Sequence, residues 1–243
     1  MQLLTQFYDS YHKKNGAYSK ILSEKNFTYY YLAPLIRRVV TSLNCPTVLD
    51  VGCGVGTLSL FAAQYARSVV GLDISERAIA LATAAGRATG SSNAHFFVGE
   101  LSQKLADFSV IICCEVVEHI PDDTEFLSLL YHNLQPGGVL ILSTPLSDTV
   151  LAETPLYKKF DAEVGHLRRY TQPELREKIT AAGFTIVSLH ATESPLRNLL
   201  FILHLDRVIW LIRGPLIPLF HTVDEFLCRF LGASNCCVVA QKK

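Results

Sequence analysis

Nine consecutive residues constrain this chain more than any others. They are Val48-Leu49-Asp50-Val51-Gly52-Cys53-Gly54-Val55-Gly56, an apolar run that enters a turn with glycine at every second position. Glycine takes left-handed backbone without steric cost, so this spacing predicts a strand bending tightly into a helix, with room for a ligand against bare backbone. The helix opening near Thr57 would offer unpaired N–H groups to the carboxylate of an amino-acid-like ligand. A dinucleotide would call for G-x-G-x-x-G, whereas the position three after Gly54 is Thr57. That mismatch counts against nicotinamide and flavin cofactors.

A second element agrees with the first. Val69-Val70-Gly71-Leu72-Asp73-Ile74 reads as a buried strand ending in a carboxylate, where nucleoside-binding α/β folds hold a ribose. Asp73 would take both ribose hydroxyls, since an ionised carboxylate has acceptor sites for two. The alternative is that Asp73 only caps the next helix, a task for which Ser75 is better placed.

Short apolar runs alternate with helical patterns, which predicts a parallel sheet. Strands are expected near 47–51, 69–73, 95–98, 110–114, 139–143, 184–190 and 236–241, with helices following Thr57, Ser75, Asp122 and Gln172. Ser75 and Asp122 precede acidic first turns, and Thr171 with Glu174 forms a capping-box pattern. Residues 1–45 read as a helical cap over the site or as plain core cover. Residues 46–243 read as one binding domain, with an apolar helical insert at about 191–235.

Composition narrows the partners. Lysine plus arginine and aspartate plus glutamate both number 22, so no basic footprint argues for nucleic acid. Seven cysteines show no metal-ligand spacing, which fits a reducing cytoplasm. Charges and tyrosines come too early in MQLLTQFYDSYHKKNG for a cleavable export signal. The most apolar region, Leu196 to Phe220, is interrupted by Arg197, Asp206, Arg207, Arg213 and prolines, and falls short of a spanning helix.

With VLDVGCGVG, VVGLDIS, VIICCEVVEHIPDD and LQPGGVLILSTP in place, the chain resembles class I S-adenosylmethionine-dependent methyltransferases of the ubiquinone-biosynthesis O-methyltransferase type. The resemblance covers roughly residues 48–184 and specifies fold and cofactor, leaving the acceptor unnamed. It implies a Rossmann-like α/β fold: a seven-stranded, mostly parallel sheet with the last strand antiparallel and helices on both faces. It also implies that Asp50, Gly52 and Gly54, with Cys53 and Gly56 in the same turn, hold the methionine part of S-adenosylmethionine. Asp73 and Ile74 would face the ribose and adenine edge, Glu100 and Leu101 the adenine, and Cys114 with Glu115 the sulfonium. Glu100 stands where the family often has Asp, so that contact would need the loop to back off.

The acceptor side centres on Glu115-Val-Val-Glu118-His119, where a helical turn would bring Glu115 and His119 onto one face beside Glu118. Similar E-x-x-E-H clusters with a later histidine, here His166, bind a divalent ion such as Mg²⁺ in related methyltransferases. A metal would lower the pKa of an acceptor oxygen. The other readings make His119 a general base or a packed structural residue. Arg168 and Arg169 would either clamp an acidic acceptor or pair with Asp161 or Glu163 to fix the loop.

The insert carries too many apolar side chains for a solvent loop, from Leu199 to Ile212. A lid over an apolar substrate is favoured, with peripheral contact to lipid and a homodimer contact as the alternatives. These expectations add up to O-methylation of a small or lipid-like acceptor. An N-methyltransferase, a catalytically silent cofactor-binding scaffold and an oxidoreductase are the rivals.

Overall fold

Strands that alternate between two apolar faces must be covered on both sides, and this chain supplies a helical layer for each. The computed structural model describes residues 8–9, 21–23, 26–203 and 216–243. The strands are β1 (Thr47–Val51), β2 (Ser68–Asp73), β3 (Ala94–Val98), β4 (Phe108–Cys114), β5 (Leu134–Pro145), β6 (Phe184–Thr192) and β7 (Asn235–Lys242). The helices are α1 (Leu32–Ser42), α2 (Thr57–Ala63), α3 (Glu76–Thr89), α4 (Asp123–His132), α5 (Pro155–Val164), α6 (Gln172–Ala181), α7 (Pro195–Ile202) and α8 (Leu216–Leu231).

The sheet order is β3-β2-β1-β4-β5-β7-β6, and β7 is antiparallel to both β5 and β6. This is the expected seven-stranded sheet with its last strand reversed. Alternation divides the core: Leu49, Ile111, Cys113, Leu140 and Leu142 meet α4 and α6 on one face. Val48, Val110, Ile112 and Ile141 meet α1 and α2 on the other, through Ile36, Val40, Leu58 and Phe61. The chain therefore crosses from β1–β3 to β4–β7 between two central strands, which opens a crevice at the C-terminal ends of β1 and β4.

The expected caps form. Ser75 accepts from Ala78 N, Asp122 from Glu125 N, and Thr171 with Glu174 completes the capping box. β5 is longer than the apolar run predicts because Gln135 to Gly138 enter through an irregularity in its pairing with β4 before regular register resumes at Val139. Helix α5 was not expected, although Thr154 caps it, Pro155 opens it and Gly165 ends it at φ 82°. No helix among the described residues is long and apolar enough to cross a membrane. The run from Leu205 through Val208, Ile209, Trp210, Leu211 and Ile212, counted in the apolar insert, lies outside the described residues.

Candidate active site

The glycine turn behaves as its spacing requires. Gly52, Gly54 and Gly56 all take left-handed backbone, at φ 71°, 53° and 80°. A Cβ on Gly52 would stand 2.4 Å from Val116 Cγ2, so the turn can also close against the segment after β4 only with glycine there. Asp73 locks the turn from the next strand: Oδ2 accepts from Gly54 N at 2.8 Å and Oδ1 from Ser75 N at 2.9 Å. Two backbone bonds leave further acceptor sites on this carboxylate. Ser75 is the true cap of α3, as anticipated, and Asp73 is left to face the crevice.

Behind the turn, Asp50 is buried and accepts from Ser59 Oγ at 2.5 Å. Burial pushes its carboxyl up to about 7; the Ser59 bond opposes this, and the charge of Asp73 adds to it. At the start of α2 no side chain caps the helix, and Thr57 Oγ1 is buried without a hydrogen-bond partner. A buried hydroxyl left unpaired costs free energy, so a ligand oxygen at that point would be welcome. Asp50, Gly52, Gly54, Thr57 and Asp73 line one cavity of about 990 Å³, together with Cys53, Ile74, Glu100, Leu101, Cys114 and Glu115.

The same cavity is also lined by His119, His166, Arg169, Tyr29, Tyr31, Phe160 and Val164. Here the structure corrects one expectation. β4 ends at Cys114, Glu115 turns through a left-handed φ of 57°, and only a single 3-10 turn, Val117–His119, follows. Glu115 is thereby aimed at the neighbouring strands, accepting from Ser143 Oγ at 2.7 Å and Asn235 Nδ2 at 3.0 Å. It does not join Glu118, His119 and His166, the three groups whose ligand atoms lie within 4.8 Å of one another.

That trio is tightly supported. Glu118 is fully buried; Oε2 accepts from Thr144 Oγ1 at 2.9 Å, while Oε1 has no hydrogen-bond partner. Burial, aided by the charge of Glu115, holds the Glu118 carboxyl well above the usual range. His119 Nδ1 donates to Gly165 O at 2.9 Å, which leaves Nε2 with the lone pair, 3.9 Å from Glu118 Oε1. Burial lowers the His119 pKa, the bond it donates to Gly165 O opposes this, and His166 lowers it further. His166 donates through Nδ1 to Asp161 Oδ1 at 2.8 Å and turns Nε2 to Glu118 Oε1 at 4.0 Å.

Neither arginine is free to clamp an acceptor. Arg169 holds both oxygens of Asp161, and Arg168 pairs with Asp123 and donates to Pro121 O. Burial would raise Asp161, but the bonds from His166 and Arg169 outweigh it and keep the carboxyl below its usual value.

The comparisons with known proteins fit this geometry. A family model described as a methyltransferase domain matches residues 23–189. The chain belongs to the methyltransferase domain family. A protein of Mycolicibacterium smegmatis named a probable S-adenosylmethionine-dependent methyltransferase is 31% identical over 68% of this chain and 62% of its own length. A ubiquinone biosynthesis O-methyltransferase of Leptothrix cholodnii is 34% identical over 45% of this chain and 48% of its own. The chain thus spans about half to three fifths of the length of these curated relatives. The crystal structure of magnesium protoporphyrin IX methyltransferase from Synechocystis, with bound S-adenosylhomocysteine, superposes with a TM-score of 0.66 at 20% identity, covering 100% of this chain and 99% of that one. At that identity the likeness speaks for the fold.

In this member of the methyltransferase domain family, several site residues carried no prior signal. Thr144, Ser143 and Asn235 orient the two glutamates, and Asp161 orients His166. Asp161 is the loop-fixing partner expected for an arginine, met by Arg169, and its bond to His166 had no signal beyond the Thr154-Pro155 start and Gly165 stop of α5. Tyr8, Tyr29 and Tyr31 reach the cavity from the N-terminal region, and the ring of Tyr8 stands edge-on to His119 at 5.7 Å.

Proposed function

We propose that this chain transfers the methyl group of S-adenosylmethionine to an oxygen of a small or lipid-like acceptor. One observation carries the reading: a single cavity joins the glycine turn and Asp73 at one end to the His119 lone pair at the other. Asp73 would hold the ribose with its remaining acceptor sites, and Ile74, Glu100 and Leu101 would border the adenine. Thr57, Gly52, Gly54 and Asp50 would receive the amino-acid end, where a cationic ammonium would favour ionised Asp50. The family and the names of its relatives support the cofactor, and the ubiquinone O-methyltransferase names support oxygen as the acceptor atom. Tyr29, Tyr31, Leu32, Phe160 and Val164 give the acceptor end the apolar, aromatic lining that a ring or lipid-like body would fill.

Transfer from a sulfonium is an in-line displacement on an activated carbon, so the chain mainly aligns nucleophile, methyl and sulfur and excludes water. Such alignment is worth roughly 7–11 kcal/mol of barrier. His119 Nε2 would take the acceptor proton. Its Nδ1–H, fixed on Gly165 O, selects the tautomer, and burial keeps the ring uncharged at neutral pH.

Calorimetry with S-adenosylhomocysteine tests the cofactor half. Asp73→Ala should weaken binding by about 2–3 kcal/mol, roughly 30- to 150-fold, because charge-assisted hydrogen bonds are lost. His119→Ala should change it less than about twofold. Absence of binding by the unaltered chain, or equal losses in both variants, would refute this assignment.

The geometry favours one second reading, in which Glu118, His119 and His166 hold a divalent ion. The orphaned Glu118 Oε1 and the two Nε2 atoms converge, and each imidazole is steadied through its other nitrogen, as metal-binding histidines usually are. A bound ion would act as a Lewis acid toward an acceptor oxygen. Two imidazoles and one carboxylate suit Zn²⁺ or Mn²⁺ better than the Mg²⁺ anticipated from sequence. Titration of the metal-stripped chain with Mn²⁺, followed by electron paramagnetic resonance, should show one bound equivalent that Glu118→Gln removes. Unchanged free-ion signal throughout would leave His119 as the base.

A further inference from the structure

Between β6 and α7, Glu193 takes a left-handed φ of 64°, which a residue with a Cβ rarely adopts unless its surroundings enforce it. Its carbonyl accepts from Ser234 N at 2.7 Å, and the preceding Thr192 pairs with Asn235 at the start of β7. Glu193, Asn198, Ser234 and Asn235 thereby form one polar wall of the cavity. Glu115 stands beside them, since it accepts from Asn235 Nδ2.

Two acceptors on this wall have no donor. Among the described residues the Glu193 side chain has one partner, Arg197, whose Nε lies 3.3 Å from Oε1 without the alignment of a hydrogen bond. Asn235 spends its amide nitrogen on Glu115, and its Oδ1 is buried with no partner. Oxygens shielded from bulk water and left unpaired cost free energy until a donor meets them.

The local charge names the kind of donor. Among the described residues, seven carboxylates line the cavity against one arginine, Arg169, which Asp161 already holds. Burial pushes the Glu193 carboxyl up to about 7, Arg197 opposes this, and Glu115 and Asp224 add to it. Burial keeps His221, Cys228 and Cys237 nearby uncharged. One guanidinium therefore answers three carboxylates, and what the wall lacks is a cation.

We propose that Glu193 sets acceptor specificity by docking a positively charged amine of the acceptor, with Asn235 Oδ1 as a second hydrogen-bond acceptor, apart from the oxygen that receives the methyl group. The inference rests on the methyl-transfer reading and narrows its acceptor to an amine-bearing alcohol or phenol. Tyr29, Tyr31 and Phe160 would pack on the apolar body of such a molecule.

Calorimetry on the chain saturated with S-adenosylhomocysteine tests this with three phenols of similar shape: tyramine, 4-ethylphenol and 3-(4-hydroxyphenyl)propionate. Tyramine should bind about 10- to 100-fold more tightly than 4-ethylphenol, the worth of a charge-assisted hydrogen bond, and the propionate should bind most weakly. Glu193→Gln should remove the tyramine advantage while S-adenosylhomocysteine affinity changes less than about twofold. Glu193→Asp keeps a counter-charge for buried Arg197 and suits left-handed backbone, so it serves where the glutamine variant fails to fold. It draws the carboxylate back by one carbon and should cut the advantage at least threefold. Tyramine no tighter than 4-ethylphenol, or an advantage intact in either folded variant, overturns the proposal. A variant that folds but loses S-adenosylhomocysteine overturns it in favour of a role at the cofactor. These readings are taken on the cofactor-loaded chain without turnover; failure of the methyl-transfer reading would show instead as an unaltered chain that does not bind S-adenosylhomocysteine.

Discussion

Replacing His119 with alanine is expected to lower kcat by a factor of about 10²–10⁴, the usual worth of a positioned general base, while S-adenosylmethionine still binds. The ring touches the cavity at its acceptor end, and the cofactor contacts proposed for Asp73 and the glycine turn do not pass through it. The pH dependence should carry the same signature. The neutral ring is the working form, and burial holds its pKa below the usual histidine value. Activity should therefore persist through pH 6.5 and fall only as the pH drops through the lowered folded pKa. The linked contribution to stability has the same sign: it is present above the unfolded value and lost below the folded one. Pre-steady-state methyl transfer across this range is the measurement. An acid limb that survives unchanged in His119→Ala would remove His119 from the chemistry.

Replacing Arg197 with alanine should cost about 3–5 kcal/mol of stability, as expected when one partner of a buried charge network is removed. The guanidinium is fully buried. It donates to Phe27 O at 2.6 Å and to His221 Nδ1 at 2.9 Å, pairs with Glu193 Oε1 at 3.3 Å, and lies 4.6 Å from the Phe27 ring centre. Burial, reinforced by the arginine, drives the His221 pKa down to about 3, so that ring stays a neutral acceptor. At about 2–4 °C per kcal/mol for a chain of this size, the melting temperature should fall by roughly 6–20 °C. Arg197→Lys should recover little of the loss, because an ammonium cannot reproduce the flat fork set against the Phe27 ring and, at 5.3 Å, the Tyr31 ring. A loss under about 1 kcal/mol would mean that the clasp between residues 27–31, α7 and α8 is ornamental.

Much of the site was legible because it is written in local rules. Three glycines at alternate positions forced a left-handed turn, Asp73 followed a buried strand, and Ser75 carried a cap pattern that freed Asp73 for the crevice. In the cluster after β4, Glu118, His119 and His166 were legible as neighbours, and Glu115 was wrongly grouped with them. A helical turn would have grouped Glu115 with His119, but strand pairing holds the chain extended through Cys114, and Glu115 must bend sharply to leave the sheet. Asp161 went unnoticed as the partner of His166 because its importance depends on where α5 packs.

The sequence by itself determined where the strands, the capped helices and the bent glycine loop fall, since backbone sterics and side-chain periodicity act over a few residues and need no distant partner. Only the tertiary structure decided which carboxylate meets the two histidines, which arginines are already spent, and which face of α8 looks outward. Those outcomes depend on groups tens to hundreds of residues apart sharing one water-excluded space, as Arg197 and Phe27 do. Burying a charge is tolerable only where such partners arrive together. Arg197 therefore reads along the chain as a break in an apolar run, and in the fold as the residue around which that run is organised.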